Sequence, residues 1–530
     1  MGRVARGVLA ATATLIVLAA VLAAARRASP MFPVSDEAVT EIYTLHALRG
    51  QQLTGPYSRF AWHHPGPAYF YFLVPFYVAA GRLTAGLNAG ALLSNVLMVI
   101  ATGWCFLRHR EYAMLASFAV LTFLYISRLG DMTASAWNPH VAVIPVAAVV
   151  VVSAAVAGGD HALLPVAVAI GSYAVQTHLA VAPAAALSTP LAFAVALARR
   201  RTRDETERRR VTRWLWCGAL TGAAFWALPA IDAIVNRGGN LGALLKFFSQ
   251  PSSAIQPPST AVAVWADLMS GVARLDLQMP AGFPVRPSGG RLPMLIAVVE
   301  LAALGGILFW SRRTARSSRF WLAIVALLAS IAALAALARI PEELTDHQVF
   351  WISALGLVDA TIILGVALSF AGRTVELRPR AQPYAAAAAL VALAVVVLNP
   401  GLAAMARVGT RSRHPAEDER FVRATTAVVR EAFNRGEIRR LLVHVEPATW
   451  HITAGVVLQL YKAGLPCAVD AAVGMYGRQF RPHGSEDSAI AVLDAEGHRR
   501  LAARRGRVTI FERNGWFVDA WPLEAQPASR

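Results

Sequence analysis

The sequence has few cysteines, almost no lysine and no internal repeat. Its three cysteines, Cys105, Cys217 and Cys467, are far apart, and the first two fall in or beside apolar runs, so we expect neither a disulfide nor a zinc site. Only two of the 50 basic residues are lysines. The absence of a visible repeat counts against a transporter built from inverted halves.

The composition excludes a soluble protein. Hydrophobic residues make up 56% of the 530 residues, and the mean hydropathy is +0.48. Many apolar runs are about 16 to 23 residues long, close to the length that crosses a bilayer. The net charge is 50 − 32 = +18, but the arginines cluster between apolar runs. That pattern is typical of the positive-inside rule, so we predict membrane lipids and no nucleic acid as partners.

The arginine clusters predict the topology. Residues 199–213 are the strongest cytoplasmic marker, followed by 312–319 and 373–380, with a weaker one at 108–110. Residues 66–81 are short, aromatic and interrupted by Pro75, so we expect a juxtamembrane element there. An uncleaved first helix is favoured over a signal peptide. The predicted spans are 7–25, 88–107, 112–127, 138–157, 162–180, 183–198, 214–233, 291–310, 320–338, 349–371 and 383–399.

This topology places five segments on the outer side of the cytoplasmic membrane: 28–66, 128–137, 234–290, 339–348 and 400–530. After Pro400 the composition becomes that of a soluble domain, in which helices at 417–434, 450–463 and 496–504 alternate with apolar strands near 440–445, 467–470, 488–493, 507–512 and 516–521. We therefore predict an all-α polytopic membrane protein at 1–399, with about eleven transmembrane helices plus juxtamembrane helices, and a small extracytoplasmic α/β domain at 400–530.

The stretch 33–67 carries the most informative polar residues. Apolar residues recur every third position from Val39 to Leu48, which predicts a short helix along the membrane surface. Ser35 is a fair N-cap, and Asp36 and Glu37 suit the first turn. A simple helix-start acid is therefore one interpretation of Asp36. The stretch ends in two adjacent histidines before Pro-Gly-Pro.

These motifs resemble the glycosyltransferase C superfamily, in particular the protein O-mannosyltransferase and lipid A aminoarabinose transferase branch. The resemblance rests on the acid pair Asp36-Glu37 after the first apolar run, on Gly50, and on His64-Pro65-Gly66-Pro67 before aromatics. The specific motifs cover roughly residues 33–140. The resemblance implies an inverting transferase that moves a sugar from a polyprenyl-phosphate donor to an envelope glycan, lipid or protein.

Such a reaction needs a base for the acceptor hydroxyl and cationic groups for the leaving phosphate. The resemblance places the base at the first acid, Asp36, and implies a second acid in the same cavity, here Asp131. Successive helical residues point about 100° apart, so we expect Glu37 not to be the base. Asp36 and Asp131 would also suit a divalent ion such as Mg or Mn.

Other polar residues fall on the same predicted face. Asn138-Pro139 is a good N-cap and N1 pair whose helix would direct its positive end at a lipid phosphate. Ordinary capping, solvated loop charge and buried, satisfied histidines are the competing interpretations. The predicted substrate-binding residues are Glu37, His63, His64, Asp131, Asn138, His140, His178, Arg339 and His347.

Two other functions remain open at this point. A transporter or flippase for a lipid-linked saccharide would use the acids as ion or substrate sites. A non-catalytic scaffold would use the C-terminal region to bind envelope components. Transporters are expected to carry charge in mid-helix, and here only Glu300 and Asp359 lie well inside a predicted span.

Overall fold

The structure, a computed structural model, describes residues 17–28, 30–201, 203–250, 255–274, 276–314, 317–371, 382–406, 416–470 and 473–523. Residues 17–27 are helical. The membrane part contains α1 (Ser35–Leu48), α2 (Ala68–Ala79), α3 (Ala85–Arg108), α4 (Tyr112–Leu129), α5 (Asn138–Val141), α6 (Val143–Gly158), α7 (Leu164–Thr177), α8 (Ala182–Arg200), α9 (Glu205–Val235), α10 (Gly239–Ser249), α11 (Pro258–Met269), α12 (Arg291–Arg313), α13 (Ser317–Leu337), α14 (Asp346–Val349), α15 (Ile352–Ala371) and α16 (Gln382–Ala406).

Eight helices among the described residues are long and apolar enough to cross a membrane: α3, α4, α6, α8, α9, α12, α13 and α15, some extended by a short adjoining turn. The predicted spans 162–180 and 383–399 also fall on helices, α7 and α16, whose described apolar parts are shorter. The predicted span 7–25 begins outside the described residues. The chain is therefore a multi-pass membrane protein, as its composition predicted.

Helix α2 does not have the length of a span. Its 12 residues extend about 18 Å at 1.5 Å per residue, whereas the hydrocarbon core is about 30 Å thick. This agrees with the prediction of a juxtamembrane element at 66–81. Pro75 lies inside the helix.

The loops predicted to share one side do meet at one end of the bundle. Phe60 packs on Phe247 with ring centroids 5.2 Å apart, and Arg59 donates to the Glu343 carbonyl at 2.9 Å. Helix α8 starts near this end at Ala182 and leads to Arg200, about 27 Å away, so the cluster at 199–213 lies at the opposite end. The predicted cluster at 373–380 lies outside the described residues.

The loop 234–290 is rich in Pro, Ser and Gly, a composition that predicts irregular structure apart from a surface helix at 241–248. That helix is present as α10, but α11 was not predicted. Trp265 and Met269 of α11 are buried, and the indole of Trp265 donates to the Ser330 carbonyl of α13 at 3.0 Å. The Pro-Ser-Thr start of α11 has the composition of a loop, although Pro in the first turn is a common way to begin a helix.

The C-terminal region, here the sheet unit, folds as predicted. Its elements are α17 (Ala416–Asn434), β1 (Leu441–His444), α18 (Trp450–Lys462), β2 (Cys467–Val469), α19 (Val473–Tyr476), β3 (Ser488–Leu493), α20 (Ala495–Arg500), β4 (Val508–Arg513) and β5 (Trp516–Pro522). The strand order is β2-β1-β3-β5-β4. Strand β1 pairs in parallel with β2 and β3, and β5 is antiparallel to β3 and β4. Helix α16 continues through Pro400 to Ala406, beyond the predicted boundary at 399/400.

Helix α1 is not the half-exposed surface helix that its periodicity predicted. Polar Thr40, Glu41 and Thr44 are buried as well as the apolar residues, because α1 and α2 share one core with the sheet unit. The prediction of Ser35 as N-cap was also wrong. The helix begins at Ser35, and the N-cap position is occupied by Val34, whose side chain makes no capping hydrogen bond.

The end of strand β1 carries a histidine whose charge stabilises the sheet unit. His444 Nδ1 donates to the Asp470 carboxylate, and Nε2 lies 3.4 Å from Glu446. The hydrogen bond to Asp470 raises the pKa of His444 above its ordinary value of 6.5. Its stabilisation is therefore fully present below 6.5 and lost as pH rises through the raised folded value.

We expect His444→Gln to flatten the pH dependence of unfolding. Between about pH 6 and about pH 8.5 the parent protein should lose more thermal stability than the variant, because only the parent loses a paired imidazolium. Melting of the purified full-length protein in detergent at both pH values measures this. His483→Gln, at an exposed position, is the control; an unchanged pH dependence in His444→Gln would contradict the prediction.

Candidate active site

A cavity of about 1010 Å³ opens at the end of the bundle where the loops 54–67, 234–290 and 339–348 meet. Its polar residues come from α1, the loop 54–67, the start of α5, the turn before α8 and the loop 339–348. Its apolar walls come mainly from α8 and α13, where Ala182, Pro183, Ala186, Ala332, Ala335 and Ala336 lie. The cavity therefore combines a polar head with a wall of small apolar residues within the helix bundle.

One face of α1 forms part of the cavity, and Asp36 is on it. Asp36, Val39, Thr40 and Tyr43 line the cavity, and their spacing of three, four and seven residues places them on a single helical face. Glu37 does not line it. The predicted distinction between the two acids thus has a geometric counterpart.

Both oxygens of Asp36 accept hydrogen bonds. Trp137 Nε1 donates to Oδ2 at 2.7 Å, and the Tyr57 hydroxyl donates to Oδ1. Burial and the adjacent Asp36 carboxylate raise the pKa of Tyr57 well above 10, so Tyr57 stays a neutral donor. These two bonds hold the orientation of the carboxylate, which a general base must present to the acceptor hydroxyl.

The sequence did not single out Tyr57 or Trp137 as site residues. Trp137 directly precedes Asn138-Pro139, and Tyr57 follows Gly55-Pro56, so both lie in connecting loops, where the residues of a site are often found. We expect Trp137→Phe, which keeps an aromatic ring but removes the N–H, to lower kcat by about two- to tenfold, because one oriented donor to Asp36 is lost. Steady-state kinetics at saturating donor measures this change. The control is Trp214→Phe, because Trp214 does not line the cavity. An unchanged kcat for Trp137→Phe would refute the assignment.

Two histidine rings pack against each other inside the cavity, tilted by 36°. The rings of His64 and His178 lie 4.8 Å apart. Burial lowers the pKa of His64 to about 3, so its imidazole is neutral. Its Nδ1 accepts the Leu179 N–H at 2.9 Å, and the ring proton is therefore on Nε2, where it is a donor.

The close packing of the loop 54–67 explains its glycine at position 66. A Cβ on Gly66 would come within 2.4 Å of Gln176 Oε1, so no other residue fits there without displacement. Asn240 supports the same loop, since its side chain accepts the His63 N–H at 2.7 Å and donates to the His63 carbonyl at 2.8 Å. No pattern in the sequence indicated this role for Asn240.

The opposite side of the cavity is cationic. Arg59 and Arg339 both line it. Within the part of the chain that the structure describes, Arg339 forms no ion pair, and its side chain is exposed. His347 also lines the cavity, with its ring 5.2 Å from Trp137. Asp346 accepts the N–H groups of Ala281 and Gly282 at 2.7 and 2.8 Å, so its charge is directed to the neighbouring backbone.

The structure thus brings six predicted residues to the cavity: Asp36, His64, Asn138, His178, Arg339 and His347. Asn138 is not the predicted N-cap, because Trp137 holds that position and the Asn138 amide donates to the Thr177 carbonyl at 3.1 Å. That bond joins α5 to the end of α7.

The other four predicted residues do not line the cavity: Glu37, His63, Asp131 and His140. His63 Nδ1 lies 3.2 Å from the Gly55 carbonyl, and buried His140 bonds the Pro280 carbonyl at 2.9 Å. Asp131 lies in the turn Gly130–Ala134. Among the described residues no group of three or more His, Cys, Asp or Glu is arranged to hold a metal, so a Mg or Mn ion between Asp36 and Asp131 stays a prediction.

This fold is the glycosyltransferase C fold of polytopic membrane proteins, as the motifs predicted. Two crystal structures of ArnT from Cupriavidus metallidurans share it, one apo and one bound to undecaprenyl phosphate. Both have a TM-score of 0.51 and cover 96% of this chain; the apo structure is 14% identical with 98% of its chain covered, and the bound one 15% with 97%. No family model and no curated protein matches the sequence.

Proposed function

We propose that the protein is an integral membrane glycosyltransferase that moves a sugar from a polyprenyl-phosphate donor to a cell-envelope glycan, lipid or protein. The observation that carries this proposal is the cavity itself. It holds an oriented carboxylate, Asp36, and, among the described residues, an arginine without an ion pair, Arg339, beside apolar walls that suit an isoprenoid chain. The fold shared with an ArnT that binds undecaprenyl phosphate supports the same donor class.

In the proposed reaction, the acceptor hydroxyl attacks the anomeric carbon from the face opposite the phosphate. Asp36 takes the hydroxyl proton as the new glycosidic bond forms. The bond between the anomeric carbon and the phosphate oxygen breaks, and its electron pair leaves with the phosphate. Arg59 and Arg339 stabilise the negative charge that develops there. Attack from the opposite face inverts the anomeric configuration.

We further propose that the cavity and the sheet unit are on the extracytoplasmic side of the cytoplasmic membrane. The arginines at 199–213 lie at the other end of the bundle, and such clusters are retained in the cytoplasm. Envelope acceptors lie on the extracytoplasmic side, so a transferase that modifies them needs its cavity on that side. Labelling of a cysteine introduced in 199–213 by an impermeant reagent on intact cells would refute this orientation.

A transporter or flippase for a lipid-linked saccharide is the second candidate. Glu300 of α12 and Asp359 of α15 are buried acids within spans, and Ser330 of α13 donates to Asp359 at 3.1 Å. Intramembrane acids are typical of ion and proton pathways. The transferase is favoured because these acids do not line the cavity, whereas Asp36 does.

Lipid analysis of a deletion strain, combined with transfer by the purified protein, tests the proposal. We expect the deletion to accumulate a polyprenyl-phosphate sugar and to leave an envelope acceptor under-glycosylated. The purified protein should release polyprenyl phosphate from that donor when the acceptor is present. Movement of the intact donor across proteoliposomes without release of phosphate would favour the flippase.

A further inference from the structure

A second acid of α1 is buried on the side of the helix away from the cavity. Glu41 is 0% exposed and does not line the cavity. Its carboxylate accepts the Tyr77 hydroxyl of α2 at 2.8 Å and the Thr84 hydroxyl, just before α3, at 2.6 Å. It also accepts a hydrogen bond from the ammonium of Lys462, the last residue of α18. One carboxylate therefore joins α1 to two parts of the membrane domain and to the sheet unit.

The cation in this pair is one of only two lysines in the chain. Besides Glu41, Lys462 donates to the Arg82 carbonyl at 3.2 Å, and its nitrogen lies 5.9 Å from the Tyr77 ring. A compact ammonium with three donors suits a crowded site with acceptors in several directions, whereas the planar fork of Arg suits bidentate carboxylates. The use of Lys in an arginine-rich chain matches this geometry.

The same helix carries Asp36 five residues earlier. An α-helix transmits a shift at one residue to its neighbours because its backbone is hydrogen-bonded throughout. Two further contacts with the sheet unit act on α1: the Tyr43 hydroxyl donates to the Met475 carbonyl, and Arg49 donates to the Tyr461 hydroxyl. The position of Asp36 in the cavity thus depends on contacts that the sheet unit makes with α1 and with its C-terminal end.

We propose that Glu41 and Lys462 are a positioning pair that fixes α1 so that Asp36 faces the reacting groups, and that the sheet unit acts on catalysis through this pair. The inference rests on the proposed function, since it assigns the base to Asp36. Neither residue touches the cavity, so both act through α1. The sheet unit is then a structural part of the active site, although its residues do not line the cavity.

The test replaces Lys462 by Met, which keeps the length of the side chain and removes its charge. We expect kcat to fall by about 10²-fold, as small displacements of a catalytic group do, with the donor KM changed by about twofold or less because Arg59 and Arg339 are untouched. Hydrogen–deuterium exchange in residues 35–48 should become faster. Lys246→Met, at the exposed second lysine, is the matched control and should change neither readout.

Glu41→Gln/Lys462→Met tests whether the pair itself is responsible. In the single variant Glu41 is a buried charge without its cation. The glutamine side chain of the double variant would keep an acceptor for Tyr77 and Thr84 and bury no charge. We expect the double variant to regain slow exchange and part of kcat. Lys462→Cys treated with 2-bromoethylamine, which restores an ammonium at nearly the same length, should also recover activity, while treated Lys462→Ala should not.

Unchanged kcat and exchange in folded Lys462→Met would overturn the proposal. So would a double variant that is as impaired as the single one, including the case in which neither yields folded protein. If the parent protein transfers no sugar, the proposed function fails, but the exchange measurements on residues 35–48 still decide whether the pair fixes α1.

Discussion

Asp36→Asn is expected to lower kcat by about 10²- to 10⁴-fold, the range lost when a general base is removed. Asparagine keeps the size of the side chain, and its amide oxygen still accepts a hydrogen bond from Trp137 or Tyr57. The variant therefore tests the loss of basicity with little change in packing. The donor KM should change by about twofold or less, since the phosphate is held on the other side of the cavity.

Glu37→Gln is the matched control for this prediction. It makes the same chemical change one residue along α1, at a side chain that does not line the cavity, so transfer should stay close to that of the parent protein. Both variants are assayed for release of polyprenyl phosphate with saturating donor. An active Asp36→Asn beside an inactive Glu37→Gln would show that the base is the other acid, and two active variants would favour the transporter.

The sequence predicted those parts of the fold that depend on local pattern. Apolar runs specify the membrane spans, and arginine clusters specify on which side of the membrane each loop lies. Both patterns reflect insertion into the bilayer, which acts on each segment by itself. Alternation of strands and helices after Pro400 likewise predicted the sheet unit. The motif at Asp36 and His64 led to the cavity because α1 and the loop 54–67 lie close together in the sequence.

The environment of α1 could not be predicted in this way. Glu41 and Lys462 are 421 residues apart in the sequence, and no periodicity indicates that they pair. The pattern of α1 predicted one exposed polar face, but Thr40 of that face lines the cavity, and Glu41 is buried and bonded to Lys462 of the sheet unit. Similarly, Trp137 and Tyr57 become donors to Asp36 only through the arrangement of α5 and the loop 54–67. Long-range contacts of this kind determine which residues of a motif reach the reacting groups.

The second large effect is expected on the donor KM, from a substitution on the cationic side of the cavity. Arg339→Ala is expected to raise the donor KM by about 10- to 150-fold, because a hydrogen bond to a charged group contributes about 1.5–3 kcal/mol. Arg339 has no ion pair among the described residues, so its removal leaves no acid unpaired in that part of the chain. Arg286→Ala, exposed and outside the cavity, is the control and should leave KM unchanged.

The class of ligand bound by Arg339 is tested by comparing polyprenyl phosphate with the corresponding polyprenol. The two share the isoprenoid chain, so they make the same contacts with the apolar walls of α8 and α13 and differ only in the phosphate. If Arg339 binds the phosphate, Arg339→Ala weakens binding of polyprenyl phosphate and leaves the weaker binding of polyprenol unchanged. Equal loss for both ligands would mean that the substitution alters the cavity as a whole, and no loss for either would place the phosphate elsewhere. Arg59 is then the next residue to replace, because it is the other arginine that lines the cavity.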